Sequence, residues 1–166
     1  SHSNNNEQTR QPEKATRTMN TPDHTSRDHA EFSPSSLKYV AGCAGYQGRD
    51  GTSEAAEKGT RIHEALEVRA PSALHNEEET GIYDAIVAEE TAFLEAFVKG
   101  ADHEELNEVL LDVALDGVNT WGTCDRLIIV GNKAVLADYK TGISKIDQPR
   151  DNWQARAYTV GAFQAY

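Results

Sequence analysis

The tightest constraint on the fold is a two-residue turn. Val130-Gly131-Asn132-Lys133 separates the runs TWGTCDRLIIV and KAVLADYKTG. Glycine at the first central position suits a type II′ hairpin, whose twist matches that of the flanking strands. If Val130 faces Lys133, then Ile129 faces Ala134, Ile128 faces Val135, Leu127 faces Leu136, and Asp125 faces Asp138. Counted outward from a hydrogen-bonded closing pair, the two aspartates fall on a non-hydrogen-bonded pair, where side chains come closest. Like charges so placed repel. Leu127, Leu136 and Ile129 are expected on the same face, with Ile128, Val135 and Ala137 on the other, so little water screens the repulsion. A protonated carboxyl would relieve it. A divalent cation is the more economical answer, since Mg2+ commonly takes one or two carboxylates with waters and phosphate.

Lys140 lies two residues past Asp138 and, on a strand, projects from the same face. Beside a cation its ammonium could orient or help deprotonate an attacking water and stabilise charge building on a phosphoryl oxygen. An acid, an apolar residue and a lysine opposite a second acid therefore point to metal-assisted hydrolysis of a phosphodiester. Taken alone, Lys140 also reads as a strand-end lysine with its stem on apolar surface.

A third β-type run, EVLLDVALDG, precedes the hairpin, and helical patterns surround the three. Ser33-Pro34 opens a short helix with Leu37, Val40 and Ala41 on one face. Thr52 or Ser53 caps SEAAEKGTRIHEALEVRA, whose Ala55, Gly59, Ile62, Leu66 and Ala70 recur at spacings of three and four, and Pro71 ends it. A longer helix is expected from about 78 to 99, with Ile82, Ile86, Phe93 and Phe97 as its apolar stripe. A last helix starts near Asp147 and Pro149 and carries NWQARAYTVGAFQAY. Residues 1–31 are polar and cannot repay the entropy of ordering, so they read as a disordered tail before a domain at 32–166.

At 166 residues with 38% hydrophobic content, the chain builds one core. No apolar run approaches a membrane span or a secretory signal, so the expected location is intracellular, in a bacterial or host cytoplasm. Two cysteines, Cys43 and Cys124, make neither a disulfide framework nor a four-cysteine centre, and both are expected as small buried fillers. The net charge of −11 argues at first against a nucleic-acid partner. Its distribution weakens that objection: residues 72–116 hold thirteen acids against Lys99, so the rest is nearly neutral. The acidic stretch reads as a solvated helix face. Trp121 and Trp153 read as core or groove-wall residues.

Four segments in order resemble motifs of the PD-(D/E)XK nuclease superfamily, and are most similar to its RecB-like branch, which includes phage-encoded exonucleases. GTRIHEALE resembles the leading helix whose histidine binds metal, which implies that role for His63. GTCD resembles the segment whose aspartate binds metal, here Asp125. DYK is similar to the central acid-x-Lys motif. It implies Asp138 as ligand, the Tyr139 main-chain carbonyl as a further ligand and Lys140 as the catalytic lysine. NWQARAY resembles the motif that carries Gln154 and Tyr158, one helical turn apart, which would hold DNA backbone or support the lysine. Glu67, one turn past His63, is either a partner of the imidazole or a solvated acid.

The resemblance covers 33–166. It implies an α/β, restriction-endonuclease-like core, a central mixed sheet flanked by helices, here lacking the last strand because the sequence stops near the second core helix. It implies a Mg2+- or Mn2+-dependent deoxyribonuclease, more an exonuclease of recombination, repair or phage DNA processing than a restriction-type endonuclease. DNA is the expected partner, with a recombination or annealing protein as a further one, and Arg126, Lys145, Arg150 and Arg156 as a narrow basic rim. Some relatives clamp an iron-sulfur cluster with four cysteines; with two, none is expected here. The competing reading is a non-catalytic DNA- or protein-binding module on the same fold.

Overall fold

The computed structural model describes residues 32–43, 45–48, 53–116 and 118–166. The tail expected at 1–31 lies outside them. After a 3-10 turn at Pro34–Ser36 come α1 (Leu37–Gly42), α2 (Glu54–Val68) and α3 (Glu77–Val98). Three strands follow, β1 (Glu104–Leu115), β2 (Val118–Val130) and β3 (Lys133–Ala137), and then α4 (Trp153–Ala165). No described helix is long and apolar enough to cross a membrane.

Local chemistry sets the helix ends. Ser53 Oγ accepts from Ala56 N at 3.2 Å, and Glu54 and Glu57 sit in the first turn of α2, where the helix dipole favours negative charge. Asn76 caps α3 by accepting from Glu79 N at 2.9 Å. Glu79, three residues on, returns its carboxylate to His75 N at 2.8 Å, a variant of the capping box. Glu79 is fully buried and also takes Arg61 Nη2 at 2.5 Å. Asn152 caps α4 through Ala155 N at 3.0 Å, so the last helix starts later than Asp147 and Pro149, which lie in the approach to it.

The sheet is ordered β1-β2-β3 and antiparallel throughout. The core is α/β as expected; among the described residues the strand pairing is not mixed. The β2–β3 register is the one the turn dictates, from Val130↔Lys133 to Arg126↔Ala137. Gly131 has φ +58°, as the first central position of a type II′ turn requires. β3 ends at Ala137, so Asp138 and Lys140 lie past the strand.

One hydrophobic core joins Val109, Leu111, Cys124 and Leu127 of the sheet to Tyr158 and Ala162 of α4. A second gathers Ile62, Ala65 and Leu66 of α2 with Tyr83 of α3, and Tyr139 packs against it. The stripe expected on α3 is only partly used: Ile82 and Ile86 join this core, whereas Phe93 is 55% exposed. Arg69, one residue past α2, reaches Glu90, so the last turns of α3 outrun the surface that α2 offers. On α1, no residue is fully buried and Ala41 is exposed. Cys43 is exposed too, contrary to expectation, because it follows this short peripheral helix; Cys124 is buried.

Strict alternation fails in the middle of the sheet. Cys124 and Leu127 are an odd number of residues apart yet share the α4 core, as do Leu106 and Val109. Between them, Asn107 pairs with Arg126 and Val109 with Cys124, so Glu108 stands opposite Asp125, with φ +48°. The register resumes unchanged, so no residue is inserted. The left-handed turn of one residue lets Asp125 and Arg126 both turn toward α2 and α3. Asp125 therefore leaves the face of Leu127 and Leu136 on which it was expected.

Candidate active site

Asp125 is reached from two sides. His63 Nδ1 lies 3.2 Å from Asp125 Oδ1, and Tyr139 N donates to Asp125 Oδ2 at 2.5 Å. Asp138 has different partners: Lys140 Nζ forms an ion pair with it, and Gln154 Nε2 donates to its Oδ1 at 3.0 Å. Gln154 Oε1 accepts from Lys140 Nζ at 2.9 Å, so the amide bridges acid and lysine. Tyr158 OH lies 3.3 Å from Gln154 Nε2, one turn along α4, and Tyr158 is only 4% exposed. The Gln154–Tyr158 pair is thus joined to Asp138 and Lys140 through the Gln154 amide.

The two acids lie past the last β2–β3 pair and are held by separate partners, Asp125 by His63 and the Tyr139 amide, Asp138 by Lys140 and Gln154. The hydrogen bond to the Asp125 carboxylate raises the His63 pKa, with further help from the charges of Asp125, Asp138 and Glu108. Burial raises that of Asp138 despite Lys140. Burial also pushes up the Cys124 thiol and the Tyr139 and Tyr158 hydroxyls, leaving all three as neutral donors.

Glu108 was not singled out in the sequence, where it is one more acid in a crowded stretch. In the fold it lines a cleft of about 440 Å³ with His63, Glu67 and Asp125. Burial, then the charges of Asp125 and Glu67, push its carboxyl up to about 7. The only sequence signal was register: counting back from the β1–β2 turn puts Glu108 opposite Asp125. Glu67 lies in the same cleft and is exposed.

The ligands that the resemblance implies, His63, Asp125, Asp138 and the Tyr139 carbonyl, are one imidazole and hard oxygens, a chemistry that suits a divalent cation. Asp125, Asp138 and Glu108 all act on the imidazole to raise its pKa, so the pocket is one of negative charge. Among the described residues, no three His, Cys, Asp or Glu side chains stand close enough together to hold a metal, because Asp125 and Asp138 are turned to separate partners. Arg126, expected on a basic rim, is instead 7% exposed and bound to Glu90 and Glu105. Lys145, Arg150 and Arg156 are exposed, the last over the Trp153 ring at 5.1 Å.

Asp138, Lys140 and Gln154 thus form one hydrogen-bonded group at the end of β3, beside the Asp125–His63 pair. The family model for the PD-(D/E)XK nuclease superfamily matches residues 31–165, and the chain belongs to that superfamily, whose members are generally nucleases. Neither the curated proteins nor the solved structures yield a match.

Proposed function

We propose that the chain is a divalent-metal-dependent deoxyribonuclease of the RecB-like branch, acting as an exonuclease in DNA recombination, repair or phage DNA processing. The observation that carries this reading is the Asp138–Lys140–Gln154 bridge, set beside the Asp125–His63 pair in a chain of the nuclease superfamily. His63, Asp125, Asp138 and the Tyr139 carbonyl are the residues to hold Mg2+ or Mn2+. When bound, the ion supplies polarisation of the phosphate and a more acidic water.

The chain's own residues divide the remaining work. Gln154 holds the Lys140 ammonium beside Asp138, where it orients the attacking water and stabilises charge on the phosphoryl oxygen. Tyr158 backs Gln154 from within the core, so the pair acts on DNA through Lys140 and Asp138. Lys145, Arg150 and Arg156 form the basic rim for the backbone, and the acidic face of α3 repels DNA from the rest of the surface. A recombination or annealing protein is the further partner.

The test is cleavage of end-labelled linear DNA and of closed circles by wild type, Asp138→Ala and Lys140→Ala, with Mg2+ or Mn2+. Loss of cutting in both variants, on linear DNA alone, supports the exonuclease. Cut circles favour a restriction-type endonuclease. Equal activity in all three proteins refutes the mechanism, and no cleavage by wild type favours a binding module.

A further inference from the structure

The β2–β3 ladder gives out at Arg126↔Ala137, one pair short of the two aspartates. Past that point no strand pairing holds Asp138, Tyr139 and Lys140 to β2. The Tyr139 amide still donates to the Asp125 side chain, and one acid on α3 ties the Tyr139 side chain to β2. Glu90 Oε1 accepts from Tyr139 OH at 2.6 Å, and Glu90 Oε2 accepts from Arg126 Nη1 at 2.8 Å. Arg69 forms an ion pair with the same carboxylate. Tyr139 sits between Asp138 and Lys140, and Arg126 follows Asp125, so Glu90 grips the immediate chain neighbours of both acids. The carboxylate is nearly buried, with 9% of its side chain exposed, as is the Arg126 side chain.

A hydrogen bond between nearly buried ions is strong and directional, and losing one partner leaves the other uncompensated. That makes Glu90 a stiff link where the backbone link has ended. We propose that Glu90 is a positioning residue: by holding Tyr139 and Arg126 together it keeps Asp138 and Lys140 in register with Asp125. This rests on the nuclease reading above. Glu90 reaches none of the reacting groups itself and acts through Tyr139 and Arg126. Glu105 offers a natural control. It binds Arg126 as well but has no bond to Tyr139, so it shares the ion pair without the link to the acid-x-Lys segment.

The experiment compares wild type with Glu90→Gln, Tyr139→Phe, the double variant and Glu105→Gln. Steady-state cleavage, Mn2+ binding by calorimetry and thermal melting are measured for each. Partners that orient metal ligands and reacting groups typically contribute about 10- to 100-fold to affinity or activity. The expected result is a kcat lower by about 10-fold or more in Glu90→Gln and in Tyr139→Phe, with KM for DNA nearly unchanged. The double variant should be no worse than the poorer single, because both break the same link. Glu105→Gln should melt lower but keep its kcat. The idea is overturned if Glu90→Gln and Tyr139→Phe, still folded, turn over like wild type, or if Glu105→Gln loses as much kcat as they do. Mn2+ affinity separates the two levels. Wild type that binds Mn2+ without cutting sinks the nuclease reading. Glu90 is then judged by metal affinity, with several-fold weaker binding in Glu90→Gln supporting its role and equal binding refuting it. Wild type that neither binds nor cuts overturns both.

Discussion

Glu108 stands across the β1–β2 ladder from Asp125 in a left-handed backbone conformation, and the strands change face on either side of it. A non-glycine residue in that region costs on the order of 1–2 kcal/mol. What the cost secures is the turning of Asp125 toward His63 and of Arg126 toward Glu90, each next to the other on one strand. Two successive residues of a regular strand point to opposite faces and could not both do this.

The crowding of Glu108 has a pH consequence. Its carboxyl is held at about 7, above the value of 4.5 in an unfolded chain, so the folded state binds the extra proton between those pH values. Stability therefore falls as pH rises from about 4.5 to about 7, and the penalty is constant above that. Glu108→Gln should raise the melting temperature of the metal-free protein at pH 8 and leave it nearly unchanged at pH 4. With solvent screening, the gain is on the order of 1 kcal/mol. Melting curves across this range check it, and a gain equal at both pH values would contradict it.

Glu79 behaves in the opposite sense. Its hydrogen bonds from Arg61, then from His75 N, pull its carboxyl down to about 2. The stability it contributes is present above about 4.5 and is lost as pH falls from there toward 2. Glu79→Gln should lower the melting temperature at pH 7 and flatten the acid limb of the stability curve. An acid limb as steep as that of wild type would show that the Arg61 pair does not carry it.

Gln154 should matter more to turnover than to binding. Its amide bridges Asp138 and Lys140, and Gln154→Ala leaves both without that partner. We expect cleavage to slow by about 10- to 100-fold, while DNA affinity, measured by fluorescence anisotropy with Ca2+ in place of Mg2+, changes less than threefold on the order of RT. A large loss of affinity would mean that Gln154 touches the DNA itself.

Gly122 packs at the meeting of β2, α4 and the chain entry. A Cβ there would lie 2.9 Å from Pro34 Cδ and 3.1 Å from Tyr158 OH. The proline ring cannot swing aside, so Gly122→Ala should destabilise the fold by about 1–3 kcal/mol. Urea unfolding measures this, and an unchanged midpoint would show that the entry segment moves freely.

A bound cation stabilises the folded state by mass action, by about 2.7 kcal/mol at one hundred times its dissociation constant. Mn2+ should raise the melting temperature of wild type and should do so far less for Asp125→Asn. Equal shifts in the two proteins would place the metal elsewhere.

Much of the fold was legible because local rules dictated it. The Gly131 turn set the β2–β3 register, Ser53 caps α2 as one of the two residues expected to, and the two long helices lie within one or two residues of expectation, although the Asn76 cap of α3 was not foreseen. In the candidate site, Lys140 stands against Asp138 and His63 against Asp125, while the two aspartates, whose opposition the turn register implied, are turned to separate partners. The sequence did not reveal Glu108 or Glu90, which are two of thirteen acids in one stretch and carry no motif of their own. Arg126 was misjudged for a related reason: an arginine's exposure depends on whether an acid from another element reaches it.

By itself, then, the order of residues determined what short-range geometry can encode: turn type, helix caps, strand register, and hence which acid opposes which. Tertiary structure alone decided which way those acids turn, which partners neutralise them and which residues are buried. Those outcomes come from charges brought together across long separations in the chain, such as Glu90 with Tyr139 and His63 with Asp125. Their energies depend on burial and on the competition among several partners, and neither exists until the elements have packed.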